Sequence, residues 1–450
     1  MRPLPIMFEH LQSRLLEFKK KPRWFRLLVL FAIGYAYFFV FIGSFVQRSL
    51  VEPWEYISMD YPMFYNAARA VIEGHSPYPE GVLHQTPDAG RAWGNYLYPP
   101  LFAWVLAPTT VLPILWSKKT YVYSSMILYF LLLTPWRGRS SWDRVERLFV
   151  IALLCIWGPA IETFRFGQSN WVPFFLLFFA CCLCERQSPG RNPKKIDLLA
   201  GGLIGVAGMV KLTPFIILPM LLLAGFWWVI AGMGLGILST ILLTGIRDNC
   251  DYFFIVLPTM TDFGERPHFM SLNRGIIEIL QHIQHPGHIL DPSPAWMVRI
   301  GLLANLIVFA YTMIYVFVHR EKISLLKVIL ISCYLAPLLG GSWLHHYTFA
   351  LLPILIILRM KLRGPLPRLE FLVVLFLILW PNFYFWFPAR AIHNFLDSTF
   401  GISDELLVSV SNLFVFLLIF PLLVKAPELP RLAWWRKNPL PEESTEGSAL

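Results

Sequence analysis

The stretch Met59-Asp60-Tyr61-Pro62-Met63-Phe64-Tyr65-Asn66-Ala67-Ala68-Arg69-Ala70 places one carboxylate, Asp60, just beyond the first long apolar run of the chain. A carboxylate beside a membrane cleft suits general-base chemistry, because ionisable groups near bilayer depth are costly and are kept for function. Five further polar motifs stand at the ends of apolar runs. They are Tyr98-Pro99-Pro100-Leu101-Phe102, Phe166-Gly167-Gln168-Ser169-Asn170, Lys211-Leu212-Thr213-Pro214, Ser271-Leu272-Asn273-Arg274-Gly275 and Trp343-Leu344-His345-His346-Tyr347. Lys211 and Arg274 are suited to holding an anion such as a phosphate, Arg through two parallel donors. Gln168 and Asn170 can hydrogen-bond hydroxyl groups. His345 and His346 can do either, and since adjacent helical residues point about 100° apart, one of the two should face a shared site.

Each of these residues also has a plain structural reading. Asp60 precedes Pro62 and a short helical stretch, so it could be a helix cap. Asn170 could cap the span that follows it. Lys211 could snorkel to the headgroups, and Arg274 could decorate the surface of a long loop. Either histidine could simply bond to backbone at a span end. His282-x-x-His285-x-x-His288 has the spacing of metal ligands, but Pro286-Gly287 breaks the helix that would align them, and no metal or other cofactor is expected.

The elements that position these groups follow from composition. The chain has 450 residues, of which 56% are hydrophobic and 15% charged, too little charge to cover a soluble protein of this size. Repeated apolar runs of about 20 residues, the length that crosses a bilayer, make it an all-α polytopic membrane protein. The net charge of +10 is concentrated in short loops and termini, a pattern of membrane topology rather than of nucleic-acid binding. The six cysteines do not form a disulfide framework; most lie in apolar runs, where packing is the default.

The basic residues 1–26 should be cytoplasmic, which puts the first extracytoplasmic loop at 48–118 after a span at about 27–47. Residues 63–73 read as a helix lying at the membrane surface, ended by Gly74 and Pro77. Residues 99–113 are apolar but short and carry Pro108 and Pro113, so we read them as re-entrant or interfacial. That reading keeps Arg137, Arg139, Arg144 and Arg147 inside. The remaining spans alternate to a total of about twelve crossings. They include a second long extracytoplasmic loop at 247–295, and the membrane domain runs over 27–424 with a cytoplasmic tail at 425–450. Asp60, Gln168, Asn170, Lys211, Asn273, Arg274, His345 and His346 then all fall on the extracytoplasmic side of a cell inner membrane.

In their order and shared side, these motifs resemble glycosyltransferase family 87 of the GT-C superfamily. The resemblance rests on Asp60 with Tyr65 and Ala67-Ala68-Arg69-Ala70, and on the five motifs above. It departs from the family where a usual Lys-Pro-x-Pro reads Lys211-Leu212-Thr213-Pro214. It implies a GT-C-type bundle with amphipathic interfacial helices in the first outer loop. It further implies a polyprenyl-phosphate-sugar donor, with mannose or arabinofuranose as the sugar, and a lipid or glycan acceptor. Asp60 would be the base, His346 a second catalytic group, and Tyr65, Arg69, Tyr98, Gln168, Asn170, Lys211, Asn273, Arg274 and His345 would bind substrate. Nucleotide sugars are absent outside the cytoplasm, which fits a lipid-anchored leaving group. A transporter or flippase of lipid-linked sugars is the competing reading. It should show related halves and polar groups at mid-membrane, whereas here the polar groups gather at one face.

Overall fold

The computed structural model describes residues 59–83, 95–133, 157–185, 193–259, 271–284, 293–339 and 344–355, with single positions at 399 and 417. Every regular element among the described residues is helical. The basic N-terminus, the first span, the loop at 137–147, the last two spans and the tail lie outside the described residues.

Helix α1, Tyr61–Ile72, starts with Pro62 in its first turn, where a missing N–H costs nothing, and is followed by Gly74 at φ 79°. It buries Tyr61, Phe64, Tyr65, Ala67 and Ala68 and leaves Asn66 and Arg69 exposed. This is the one-sided pattern of a helix laid on a surface. A short turn of helix, α2 (Glu80–Leu83), follows. Helix α3 spans Pro100–Leu106 and continues as a 3-10 segment over Ala107–Val111. It meets α4, Ile114–Leu133, at a bend of 118°, with Pro113 at the break and Pro108 in the 3-10 segment before it. Such a bend is the geometry of a broken span or a re-entrant hairpin. Two hydroxyls of α1 lock onto it: Tyr61 Oη lies 2.6 Å from Ser117 Oγ, and Tyr65 Oη donates to the Leu112 carbonyl at 2.9 Å.

Helix α5 (Gly158–Phe166) ends at Gly167, whose φ of 68° turns the chain into α6 (Trp171–Glu185). Helices α7 (Pro193–Val210) and α9 (Trp227–Thr244) flank a 3-10 turn at Thr213–Ile216 and the short α8, Ile217–Ala224. The α7 and α9 backbones approach so closely that a Cβ at Gly201 would collide with the Val229 carbonyl, and one at Gly232 with the Leu198 carbonyl. Small residues at such contacts are the usual means of packing helices in lipid. Residues 213–224 are thus a 3-10 turn and a short helix stopped by Gly225 at φ 74°.

The described residues between 246 and 284 are almost all helical. They form α10 (Ile246–Asp251), a π-helical turn at Tyr252–Val256, α11 (Leu257–Thr259) and the amphipathic α12, Leu272–Gln284. Helix α13 spans Ala295–Val318, and α14, Leu325–Leu339, is buried at every position from Leu325 to Leu338. A helix apolar on all sides belongs in the middle of a fold, and α14 occupies that place. A 3-10 segment, Leu344–Ala350, carries the two histidines and runs into helical residues 351–355.

Among the described residues α9 and α13 are long and apolar enough to cross a membrane, and the α3–α4 pair would make a third. Leu306, Ile307 and Ile314 of α13 and Leu242 and Leu243 of α9 are exposed, as suits a face turned to lipid. The described residues thus support a helical membrane protein with two or three such spans; the expected total of about twelve includes spans that lie outside the described residues.

Candidate active site

Asp60 stands at the N-terminus of α1, and its side chain makes no capping bond to that helix. Its backbone N–H donates to the Phe166 carbonyl at 3.1 Å, which ties α1 to the end of α5. Its carboxylate Oδ2 accepts a hydrogen bond from Gln168 Nε2. Gln168 Oε1 in turn accepts from Tyr98 Oη at 2.8 Å, and the Gln168 carbonyl accepts from Tyr121 Oη at 2.6 Å. A tyrosine hydroxyl that donates to Oε1 fixes the amide so that its NH₂ points at the carboxylate. Tyr98 and Gln168 therefore orient Asp60 from two loops that are 70 residues apart in the chain. Burial raises the Asp60 carboxyl above its ordinary range; the Gln168 hydrogen bond and the positive charge of Lys211 act in the opposite direction without cancelling it. A carboxylate raised in this way is a stronger proton acceptor than an exposed aspartate.

Lys211 follows the last turn of α7 and turns inward. Its Nζ donates to Asn170 Oδ1 at 2.7 Å, lies 2.8 Å from His346 Nε2, and stands 5.4 Å from the centre of the Tyr98 ring. An amide oxygen, an imidazole nitrogen and an aromatic face together make a fitting cradle for an ammonium ion. With the Lys211 ammonium as donor, His346 Nε2 is the acceptor and the imidazole is neutral, its proton on Nδ1. Tyr98 joins the two halves of the site: its hydroxyl serves the Asp60 side and its ring faces the lysine.

Asn170 Nδ2 donates to the His345 carbonyl at 3.0 Å, so the Asn170 side chain spans Lys211 and the 3-10 segment. The same carbonyl accepts from Thr348 Oγ1 at 2.8 Å and from Thr163 Oγ1 at 3.2 Å, and the two threonine hydroxyls lie 2.8 Å apart. His345 thus contributes its backbone to the scaffold, and its ring stands edge-on to His346 at 4.4 Å.

The structure brings Asp60, Tyr98, Gln168, Asn170, Lys211, His345 and His346 together. The other sequence candidates make their contacts outside this network. Tyr65 spends its hydroxyl on the Leu112 carbonyl. Arg69 points outward from α1 and pairs with Glu73 at 3.0 Å. Arg274 is fully buried, with Nε 3.0 Å from Glu278 Oε1 and Nη1 donating to Ser293 Oγ at 3.1 Å. Asn273 accepts from the hydroxyl of Ser271, just before α12, at 2.6 Å. These are holding contacts: α1 to its loop, α12 to its neighbours. Sequence reasoning passed over Tyr121, Thr163 and Thr348, which support the site through single hydroxyls; only the proximity of Thr163 to Gly167-Gln168 could have pointed to one of them. Of the spaced histidines, His282 lies in the last turn of α12, while His285 and His288 lie outside the described residues.

Residues 96–340, more than half of the chain, match the family model of glycosyltransferase family 87. A GPI mannosyltransferase 1 from Gibberella zeae is 26% identical over 175 residues, which cover 39% of this chain and 35% of that protein. A polyprenol-phosphate-mannose-dependent alpha-(1-2)-phosphatidylinositol mannoside mannosyltransferase from Mycobacterium tuberculosis is 29% identical over 180 residues, 37% of this chain and 39% of that protein. A polyprenol-phosphate-mannose-dependent alpha-(1-2)-phosphatidylinositol pentamannoside mannosyltransferase from Mycolicibacterium smegmatis is 28% identical over 326 residues, 69% of this chain and 71% of that protein. The chain therefore spans well under half the length of the first two relatives. No solved structure matches. From the extent of the family match, the chain belongs to glycosyltransferase family 87.

Proposed function

We propose that the protein is a membrane glycosyltransferase that moves mannose from a polyprenol-phosphate-mannose donor to a hydroxyl of a lipid or glycan acceptor. The observation that carries this reading is the polar network itself. One oriented, partly buried carboxylate and one caged lysine amine share this network, and Tyr98 bridges them. Among the described residues Oδ2 of Asp60 is held by Gln168, which leaves Oδ1 to take the acceptor proton. As the acceptor oxygen bonds to the anomeric carbon, the bond from that carbon to the phosphate oxygen breaks, and the electron pair stays on the phosphate. Lys211 meets that charge, and a fixed cation aimed at developing charge lowers the barrier. Base and leaving group on opposite sides of the sugar give inversion. His346 keeps Lys211 in place and adds a polar edge toward the sugar. The mannose assignment, rather than arabinofuranose, draws on the printed activities of the mannosyltransferase relatives.

We place the site on the extracytoplasmic face, because the basic loops set the opposite side as cytoplasmic. Cysteine labelling of single-cysteine variants in the 59–60 and 167–169 turns of intact cells should be blocked by an impermeant reagent. Labelling only after lysis would reverse the topology.

The test of the activity uses the full chain in detergent with radiolabelled polyprenol-phosphate-mannose and extracted membrane lipids. A mannosylated product whose anomeric configuration is opposite to that of the donor is the expected result. Detergent abolishes sidedness, so a pure transporter gives no product there, and that outcome would reject the enzyme reading.

A further inference from the structure

We infer that Arg165, held in place by Glu162, is a second cation of the same site, and that it binds the phosphate after the sugar has left. The inference rests on the reading of the protein as a polyprenyl-phosphate-dependent transferase. Arg165 lies in the last turn of α5, next to the turn that carries Gln168 and Asn170. Its side chain is 42% exposed, while that of its partner Glu162 is 8% exposed, and Nη1 donates to Glu162 Oε1 at 3.2 Å. Its guanidinium carbon stands 5.6 Å from the centre of the Phe166 ring. That ring is 5.8 Å from the ring of His345, which is 4.4 Å from the ring of His346, the partner of Lys211. Arg165 therefore sits at the accessible end of a run of rings whose buried end is the caged lysine. The carbonyl of the intervening Phe166 also holds the Asp60 backbone.

The geometry of the ion pair favours a positioning role for Glu162. An exposed ion pair stabilises a fold little, and a buried carboxylate is costly to keep, so stability alone is a poor account of Glu162. Among the described residues the pair uses one guanidinium nitrogen of a side chain that is 42% exposed, and the planar guanidinium has further N–H donors whose fork matches phosphate oxygens.

Charge counting assigns the role. The donor is a phosphodiester with one negative charge; bound beside Lys211 it favours the protonated form of that lysine, which balances it. Once the anomeric carbon–oxygen bond breaks, the electron pair remains on the phosphate, and the product is a monoester that carries close to two charges above about pH 6. The second charge calls for a second cation, and Arg165 is the accessible one beside this run of rings.

The experiment measures, at about pH 8 where the monoester is doubly charged, the KM for polyprenol-phosphate-mannose and the inhibition constant of free polyprenyl phosphate. It uses the full-length protein in detergent. Arg165→Ala is compared with the Glu162→Gln/Arg165→Ala double variant, which avoids leaving a buried unpaired carboxylate. Both should bind the free lipid phosphate about 10- to 100-fold more weakly, the scale of a lost charge-assisted hydrogen bond, and Arg165→Lys, which keeps the charge but not the planar fork, should recover only part of that affinity. The donor KM should move by less than about three-fold. A merely structural arginine would shift both constants together, and that result, or an unchanged inhibition constant in variants that still transfer mannose, overturns the inference alone. A wild-type protein that transfers no mannose removes the function on which it rests.

Discussion

Replacing Asp60 by Asn separates the two roles this residue could play. Asn has the same size, and its amide oxygen can still accept from Gln168 Nε2, so the Tyr98–Gln168 relay persists. The Asp60 side chain makes no capping bond, so no cap is lost. Burial raises the Asp60 carboxyl, so the neutral amide also escapes the desolvation that the anion bears. Stability should therefore stay within about 1 kcal/mol of wild type. What disappears is the proton acceptor. General-base catalysis is worth about 10²–10⁴-fold in rate, or roughly 3–5 kcal/mol of barrier. Asp60→Glu should be nearly as poor, because a methylene moves the carboxylate by about 1 Å from its line of approach and detaches it from Gln168. The assay is the initial transfer rate at saturating donor for wild type and both variants, with melting followed in the same detergent. An Asp60→Asn protein that keeps more than about a third of the wild-type rate refutes the assignment. The base would then have to be sought at Glu52, Glu55 or Asp88, which lie outside the described residues, or at His346.

Four further outcomes are expected. Because the Asp60 carboxyl is raised, kcat/KM should climb with pH through a value above the usual carboxylate range, since below it the group is protonated and cannot accept; the residual activity of Asp60→Asn should lack that limb. Tyr98→Phe should lower kcat by about ten-fold with little change in donor KM, because the hydroxyl orients the Gln168 amide and the retained ring still faces Lys211. Lys211→Met strips Asn170 Oδ1 and His346 Nε2 of their shared donor, and should cost about 1–3 kcal/mol of stability along with most of the transfer activity. Transfer should persist in EDTA, since Lys211 meets the phosphate charge; loss of activity that manganese or magnesium restores would contradict that assignment.

Much of the site was legible as separate pieces. Polar motifs stand out against apolar runs because burying each in lipid is costly, and the basic loops sort those motifs to one side. Arg274 with Glu278 was legible too, as an i, i+4 pair on one helix, whereas its contact with the Ser293 hydroxyl, 19 residues on, was not. Arg69 likewise had its partner four residues on, at Glu73. Each arginine thus meets a carboxylate one helical turn away.

The amino-acid order by itself determined that the protein is helical and made for a membrane, and that Asp60, Gln168, Lys211 and His346 are unusual in their surroundings. Hydropathy and charge are sums over neighbouring residues, so they survive without a fold. The tertiary structure alone decided which of these groups meet. Asp60 and Gln168 are 108 positions apart, and Lys211 and His346 are 135 apart. Their contacts depend on the left-handed turn at Gly167, the bend between α3 and α4, and the 3-10 path of residues 344–350. The facing of a side chain is set by how whole helices pack, and no local window of sequence contains that information.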